Sequence, residues 1–97
     1  ETVSTRAGSP IVASADGVVS FTGWDGGYGR VVLIKHGHGF ETRYAHLNKS
    51  IVKKGQRVKR GETIGLVGTS GKTTGPHLHY EVHLNGVAVN PIRYVLR

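Results

Sequence analysis

The longest unbroken alternation of polar and apolar positions runs from His77 to Leu84. His77, His79, Glu81 and His83 share one parity, and Leu78, Tyr80, Val82 and Leu84 share the other. A period of two is the signature of a half-buried strand, because successive side chains point to opposite faces. The apolar set is expected in the core, leaving three imidazoles and a carboxylate on neighbouring pleats. Same-face residues two apart are separated by ~6.5–7 Å of strand rise, so His77 and His79 can both reach one small object, a metal ion or a bound water. A plain solvated face is the alternative, but histidine is too uncommon to fill three such positions casually.

The rest of the chain also reads as short strands and tight turns. Pro10 to Ala15 predicts a short strand, Ala15-Asp16-Gly17 a turn, and Val18 to about Trp24 a second strand. Asp25 to Gly29 is a glycine-rich loop that superficially resembles a phosphate cradle. No helix follows it and the Walker lysine is absent, so it reads as a wide hairpin loop with Tyr28 lining a groove. Arg30 to His36 is dense in β-branched residues and predicts a further strand. The turn His36-Gly37-His38-Gly39 follows, with His36 structural and His38 solvated. Phe40 to His46 returns as the antiparallel partner, with Phe40, Thr42, Tyr44 and His46 on one side and His46 projecting into a cleft.

Ile51 to Leu66 alternates short strands with glycine-containing turns, as in a compact antiparallel barrel or sandwich. Gly68 to Gly75 is a hydroxyl-rich loop that delivers the chain through Pro76 into the histidine strand; Thr73 and Thr74 on it are candidate groove residues. Asn85-Gly86 predicts a type I′ hairpin turn, Val87 to Val89 pairs back, and Asn90-Pro91 ends the sheet. Ile92 to Leu96 is a short tail with room for one helical turn. The expected fold class is therefore all-β: a compact antiparallel, barrel-like sandwich of short strands with a groove, formed by residues 1–97 as a single domain.

Composition narrows the partners. The 97 residues include 15 glycines and no cysteine, so neither a disulfide framework nor a cysteine-based zinc site is available. No apolar run approaches the ~20 residues of a membrane span. Thirteen Lys and Arg against six Asp and Glu give a net charge of +7, which favours polyanions such as nucleic acid, anionic lipid or acidic wall polymers. The densest cluster is Lys53, Lys54, Arg57, Lys59 and Arg60. No aromatic residue is interleaved there to stack on bases, so nucleic acid is not the expected partner and solvated turns are the simpler reading.

Four segments together carry a family resemblance. Asp16-Gly17-Val18-Val19, Tyr44-Ala45-His46-Leu47, the run from Thr69-Ser70-Gly71 to Gly75-Pro76-His77-Leu78-His79, and Asn90-Pro91 occur in the order found in LytM/lysostaphin-type zinc endopeptidases. The chain resembles that family over essentially its whole length. The resemblance implies the duplicated hybrid motif, a β-rich fold with a narrow groove. It also implies hydrolysis of peptide stems and cross-bridges of bacterial peptidoglycan, outside the cytoplasmic membrane. By position, His79 would be a Zn2+ ligand, while His46 and His77 would be non-ligand histidines flanking the metal-bound water. This division corrects the simpler reading in which His77 and His79 both bind metal. Zinc lowers the pKa of its water to about 7, and an imidazole with an unperturbed pKa near 6.5 can take and return the proton.

One departure bears on activity. The family's other two ligands come from an upstream His-x-x-x-Asp whose Asp lies eight residues before the proline matching Pro10. That position is Thr2 in this chain, and the His falls before Glu1. A catalytic zinc site keeps three protein ligands and an open position. The expectation is a piece of a larger enzyme, truncated at its N-terminus and with little or no peptidase activity by itself. The alternative is a degenerate, non-catalytic module that binds cell wall or activates a wall amidase. Retention of His46, His77 and His79 favours the first. Val52 to Gly65 also resembles the strand–turn–strand repeats of biotinyl or lipoyl carriers, but these commonly place methionine beside the modified lysine, and this chain contains none.

Overall fold

A computed structural model describes residues 2–4, 7–69 and 77–89. They form ten strands: β1 (Thr2–Ser4), β2 (Pro10–Val12), β3 (Gly17–Trp24), β4 (Arg30–Gly37), β5 (Phe40–Ala45), β6 (Leu47–Ser50), β7 (Arg57–Val58), β8 (Thr63–Val67), β9 (His77–Leu84) and β10 (Val87–Val89). No α-helix occurs among the described residues; a single 3-10 turn, Gly26–Tyr28, follows β3. All pairings are antiparallel. The larger sheet runs β1-β9-β5-β4-β3-β7, with β10 also on β9, and a three-stranded sheet runs β2-β8-β6. The all-β architecture of short strands read from the sequence is the observed one.

The two sheets close on each other because each presents one apolar parity inward. Val19, Val32, Ile34 and Tyr44 from the larger sheet pack with Ile11, Leu47, Ile64 and Val67 from the smaller one. Leu78 and Tyr80 of β9 lean on the same cluster, and Val82 is buried, so the apolar set of the alternating stretch faces the core. A polar chain threads this core and satisfies the groups that burial would otherwise orphan. Tyr80 Oη donates to Ser14 Oγ, the Ser14 N–H donates to Tyr44 Oη, and Thr42 Oγ1 donates to Tyr44 Oη, each at 3.0 Å. His36 closes the chain, with Nε2 2.7 Å from Thr42 Oγ1 and Nδ1 2.7 Å from the Asp16 carbonyl oxygen. His36 is therefore held as a structural residue, and His38 sits exposed in its turn.

Two sequence expectations are shortened. The strand expected over Pro10 to Ala15 ends at Val12, because Ala13 leaves the ladder to bond in isolation with Glu62 and Gly61. The strand expected over Phe40 to His46 ends at Ala45, since His46 adopts φ +62° and turns the chain out of the larger sheet. Leu47–Ser50 then begins a separate strand in the smaller sheet, paired to β8. The Asn85-Gly86 turn matches its type I′ reading, with φ of +51° and +83°. Beyond Thr69, the hydroxyl-rich loop lies outside the described residues, as does the tail from Asn90 onward.

Candidate active site

The β5–β9 pairing sets the site. Its register places Ala45 opposite His79, Arg43 opposite Glu81 and Glu41 opposite His83, so these residues share the outer face of the larger sheet. His46 follows at once, and its left-handed backbone swings the imidazole to the side instead of continuing the pleat. That conformation is uncommon for a residue with a Cβ. It is held by the His46 N–H donating to the Tyr28 carbonyl at 2.9 Å and the Gly68 N–H donating to the His46 carbonyl at 3.2 Å. The His46 and His79 rings then meet edge-on, with centroids 6.1 Å apart.

These two rings, with Gly27, Tyr28 and Glu81, line an open groove of about 430 Å³. Tyr28 forms one wall, its ring centroid 5.6 Å from that of His79, so the expectation that it lines a groove matches the geometry. His46 is buried, whereas His79 is only partly buried. One imidazole is thus recessed and the other faces the opening. A second concavity of about 380 Å³ lies beside His36 and His38, but both His36 ring nitrogens are engaged by Asp16 and Thr42.

Glu81 organises the histidine row. Its Oε2 lies 2.6 Å from His79 Nε2 and its Oε1 lies 2.8 Å from His83 Nε2. Partial burial pushes the Glu81 carboxyl up, but hydrogen bonds from His79, His83 and Tyr28 outweigh it and bring the pKa to about 2. Glu81 is therefore an anion that accepts from both rings. In the tautomer that donates from Nε2 to Glu81, the imidazole lone pair lies on Nδ1. A carboxylate behind one ring nitrogen is the arrangement that orients a metal-binding imidazole and raises its basicity. The hydrogen bond to Glu81 also pushes the Tyr28 hydroxyl above its ordinary range, reinforced by burial and by the charge of Glu81, while Arg43 opposes.

Arg43 completes the wall. Its guanidinium carbon stands 4.6 Å from the Tyr28 ring centroid, and Nη1 is 3.5 Å from Asp25 Oδ2. Its Nε is buried 4.0 Å from Glu81 Oε1 and has no hydrogen-bond partner among the described residues. Neither Arg43 nor the bridging role of Glu81 emerged from the sequence; the common parity of positions 79, 81 and 83 was the available signal for Glu81.

Of the residues expected at the site, the structure brings His46, His79 and Tyr28 together. His77 lies on β9 with its backbone opposite Ser4, but its side chain is outside the described structure, as are Thr73 and Thr74. A zinc ion needs more than His79. Among the described residues, no three His, Cys, Asp or Glu side chains are grouped to hold one ion. They therefore fit one ligand with its supporting carboxylate and do not complete a zinc site.

With this geometry in view, similarity to known proteins becomes informative. The chain is 53% identical over 89 residues to the DD-carboxypeptidase/endopeptidase Mpg of Neisseria meningitidis, covering 92% of this chain and 20% of that protein. The chain thus spans about a fifth of the length of the curated relatives it matches. The fold superposes on a zinc-containing peptidase from Vibrio cholerae with a TM-score of 0.93 and 40% identity, covering 99% of this chain and 30% of that one. It superposes on the catalytic domain of lysostaphin from Staphylococcus simulans with a TM-score of 0.92 and 31% identity, covering 97% and 75%. Residues 2–91 match the profile of peptidase family M23, and the chain belongs to that family.

Proposed function

We propose that this chain is the peptidase domain of a zinc-dependent endopeptidase that hydrolyses peptide cross-links of bacterial peptidoglycan, working outside the cytoplasmic membrane. The observation that carries this reading is the meeting of His46 and His79, from separate strands, in one groove with a carboxylate behind His79. His79 is one metal ligand, oriented by Glu81. Zinc, when bound, supplies an acidified water and polarises the scissile carbonyl. His46, recessed beside the ligand, moves a proton between the attacking water and the leaving amine, with His77 as the second imidazole of the pair. Tyr28 and Arg43 shape the wall against which an extended peptide lies. Relatives named as peptidoglycan DD-endopeptidases in Vibrio cholerae support the substrate class. The net charge of +7 also suits acidic polymers of the wall.

A second reading has its own support: among the described residues, no three His, Cys, Asp or Glu side chains are grouped to hold one ion. On that reading the groove holds wall peptides without cutting them, or engages a wall amidase. The two separate on incubation of the full-length protein with cross-linked peptidoglycan, followed by mass spectrometry of the soluble fragments. New peptide termini that disappear after chelation and return with zinc support the enzyme. Binding without new termini supports the module.

A further inference from the structure

At the edge of the larger sheet farthest from the groove, β7 and the turns on either side of it carry the cation cluster seen in the sequence. Lys53, Lys54, Arg57, Lys59 and Arg60 are all exposed. The pairing register adds a sixth cation, because Val18 lies opposite Arg57 on β7 and opposite Lys35 on β4. Arg57, Val18 and Lys35 therefore form one row on the outer face, with the two cations two strand spacings apart, about 10 Å. Among the described residues, none of these six side chains is in an ion pair; the recorded pairs involve Arg43, His79 and His83. The nearby carboxylates are occupied otherwise. Asp16 Oδ1 accepts from the Arg60 N–H at 2.8 Å, Glu62 Oε1 from the Lys59 N–H at 3.1 Å, and Glu41 Oε2 from Ser20 Oγ at 2.9 Å. These acids stay negatively charged, and Glu41 faces Lys35 across β4 and β5, so six cations stand against three nearby acids and the edge keeps an excess of three positive charges.

We infer that this edge is a binding surface for a linear polyanion whose oxyanion groups, phosphate or carboxylate, recur at short intervals. Side chains free of ion pairs do not have to break a salt bridge before engaging such a polymer, and its condensed counterions are released on binding. No aromatic side chain interleaves the cluster, which favours a backbone-only polymer over nucleic acid bases. β7 and β9 are separated by four strand spacings across the sheet, about 19 Å, so one polymer can occupy the edge while the groove stays open. A molecule tethered in this way meets neighbouring material at a raised effective concentration. The inference does not depend on the groove being catalytic.

The test is fluorescence anisotropy with labelled inorganic polyphosphate and, separately, poly-L-glutamate, at several salt concentrations. The variant K53Q/K54Q/R57Q/K59Q is compared with K49Q/K72Q/R93Q/R97Q, which removes four positive charges at other positions of the sequence. Circular dichroism is used to check that both variants fold before their affinities are compared. The expected result is that the edge variant loses at least tenfold in affinity for whichever probe the parent prefers, and its log K against log salt slope becomes shallower by about 3. The control variant keeps most of both. Equal losses in the two variants reduce the effect to net charge and overturn the inference. Preference for single-stranded DNA over both probes, lost in the edge variant, also overturns it, in favour of a nucleic-acid surface.

Discussion

His79 Nε2 and Glu81 Oε2 stand 2.6 Å apart, two residues along one strand and on one face of it. The alternation that sends Leu78, Tyr80 and Val82 inward leaves these two side by side, so the packing of the core aligns the ring of the proposed metal ligand. Glu81 has a pKa of about 2, below its ordinary 4.5, so its contribution to stability is present above pH 4.5 and is lost as pH falls toward 2. Discounted for solvent screening, Glu81→Gln is expected to cost about 1 kcal/mol at pH 7. Urea unfolding at pH 7 and pH 2 checks this: the gap between parent and variant closes at the lower pH.

His46 makes a different kind of prediction, because its backbone and its ring serve separate ends. A left-handed φ is strained for alanine and free for glycine, so His46→Gly should be more stable than His46→Ala by about 1 kcal/mol. Thermal melts of the two variants read the difference. The reverse order would show that the turn out of β5 does not need the observed backbone.

Gly68 lies against the same turn. A Cβ there would sit 2.4 Å from the Asn48 backbone nitrogen, where nothing can move without shifting β6. Gly68→Ala is expected to destabilise by about 2 kcal/mol, within the range for forced overpacking. It should also broaden the His46 ring resonances, since the Gly68 N–H bonds to the His46 carbonyl.

Arg43 ties the Asp25–Tyr28 turn to β5 by a contact with the Tyr28 ring and an ion pair with Asp25. Each is worth about 0.5–1 kcal/mol at a partly exposed position. Arg43→Gln should therefore speed amide exchange at Tyr28 and Gly29 several-fold while leaving β4 protected. Arg43→Lys should restore little, since a point charge replaces the planar group that stacks on the ring.

Much of this was legible before any coordinates. The β9 alternation, the β3–β4 hairpin and the Asn85-Gly86 turn each rest on local pattern, and local pattern is what a sequence displays. The turn at His46 was not, because Ala45-His46-Leu47 contains no glycine to advertise a left-handed residue. Nor was β6, where Leu47-Asn48-Lys49-Ser50 has little strand character and is held by its pairing with β8. Arg43 stayed hidden for a third reason: its meaning depends on the register that sets it opposite Glu81, far along the chain. The meeting of His46 with His79 was expected only through family likeness, and the backbone that brings it about is a tertiary feature.

The account rests most heavily on the two groove imidazoles doing different jobs in one reaction. Steady-state cleavage of a purified cross-linked muropeptide dimer by the full-length, zinc-loaded protein tests it most directly, with zinc content measured in parallel for each variant. The account predicts that His46→Ala lowers kcat by at least about a hundredfold with bound zinc unchanged, while His79→Ala loses both activity and metal. Undiminished cleavage by His46→Ala, or full zinc retention by His79→Ala, would contradict it.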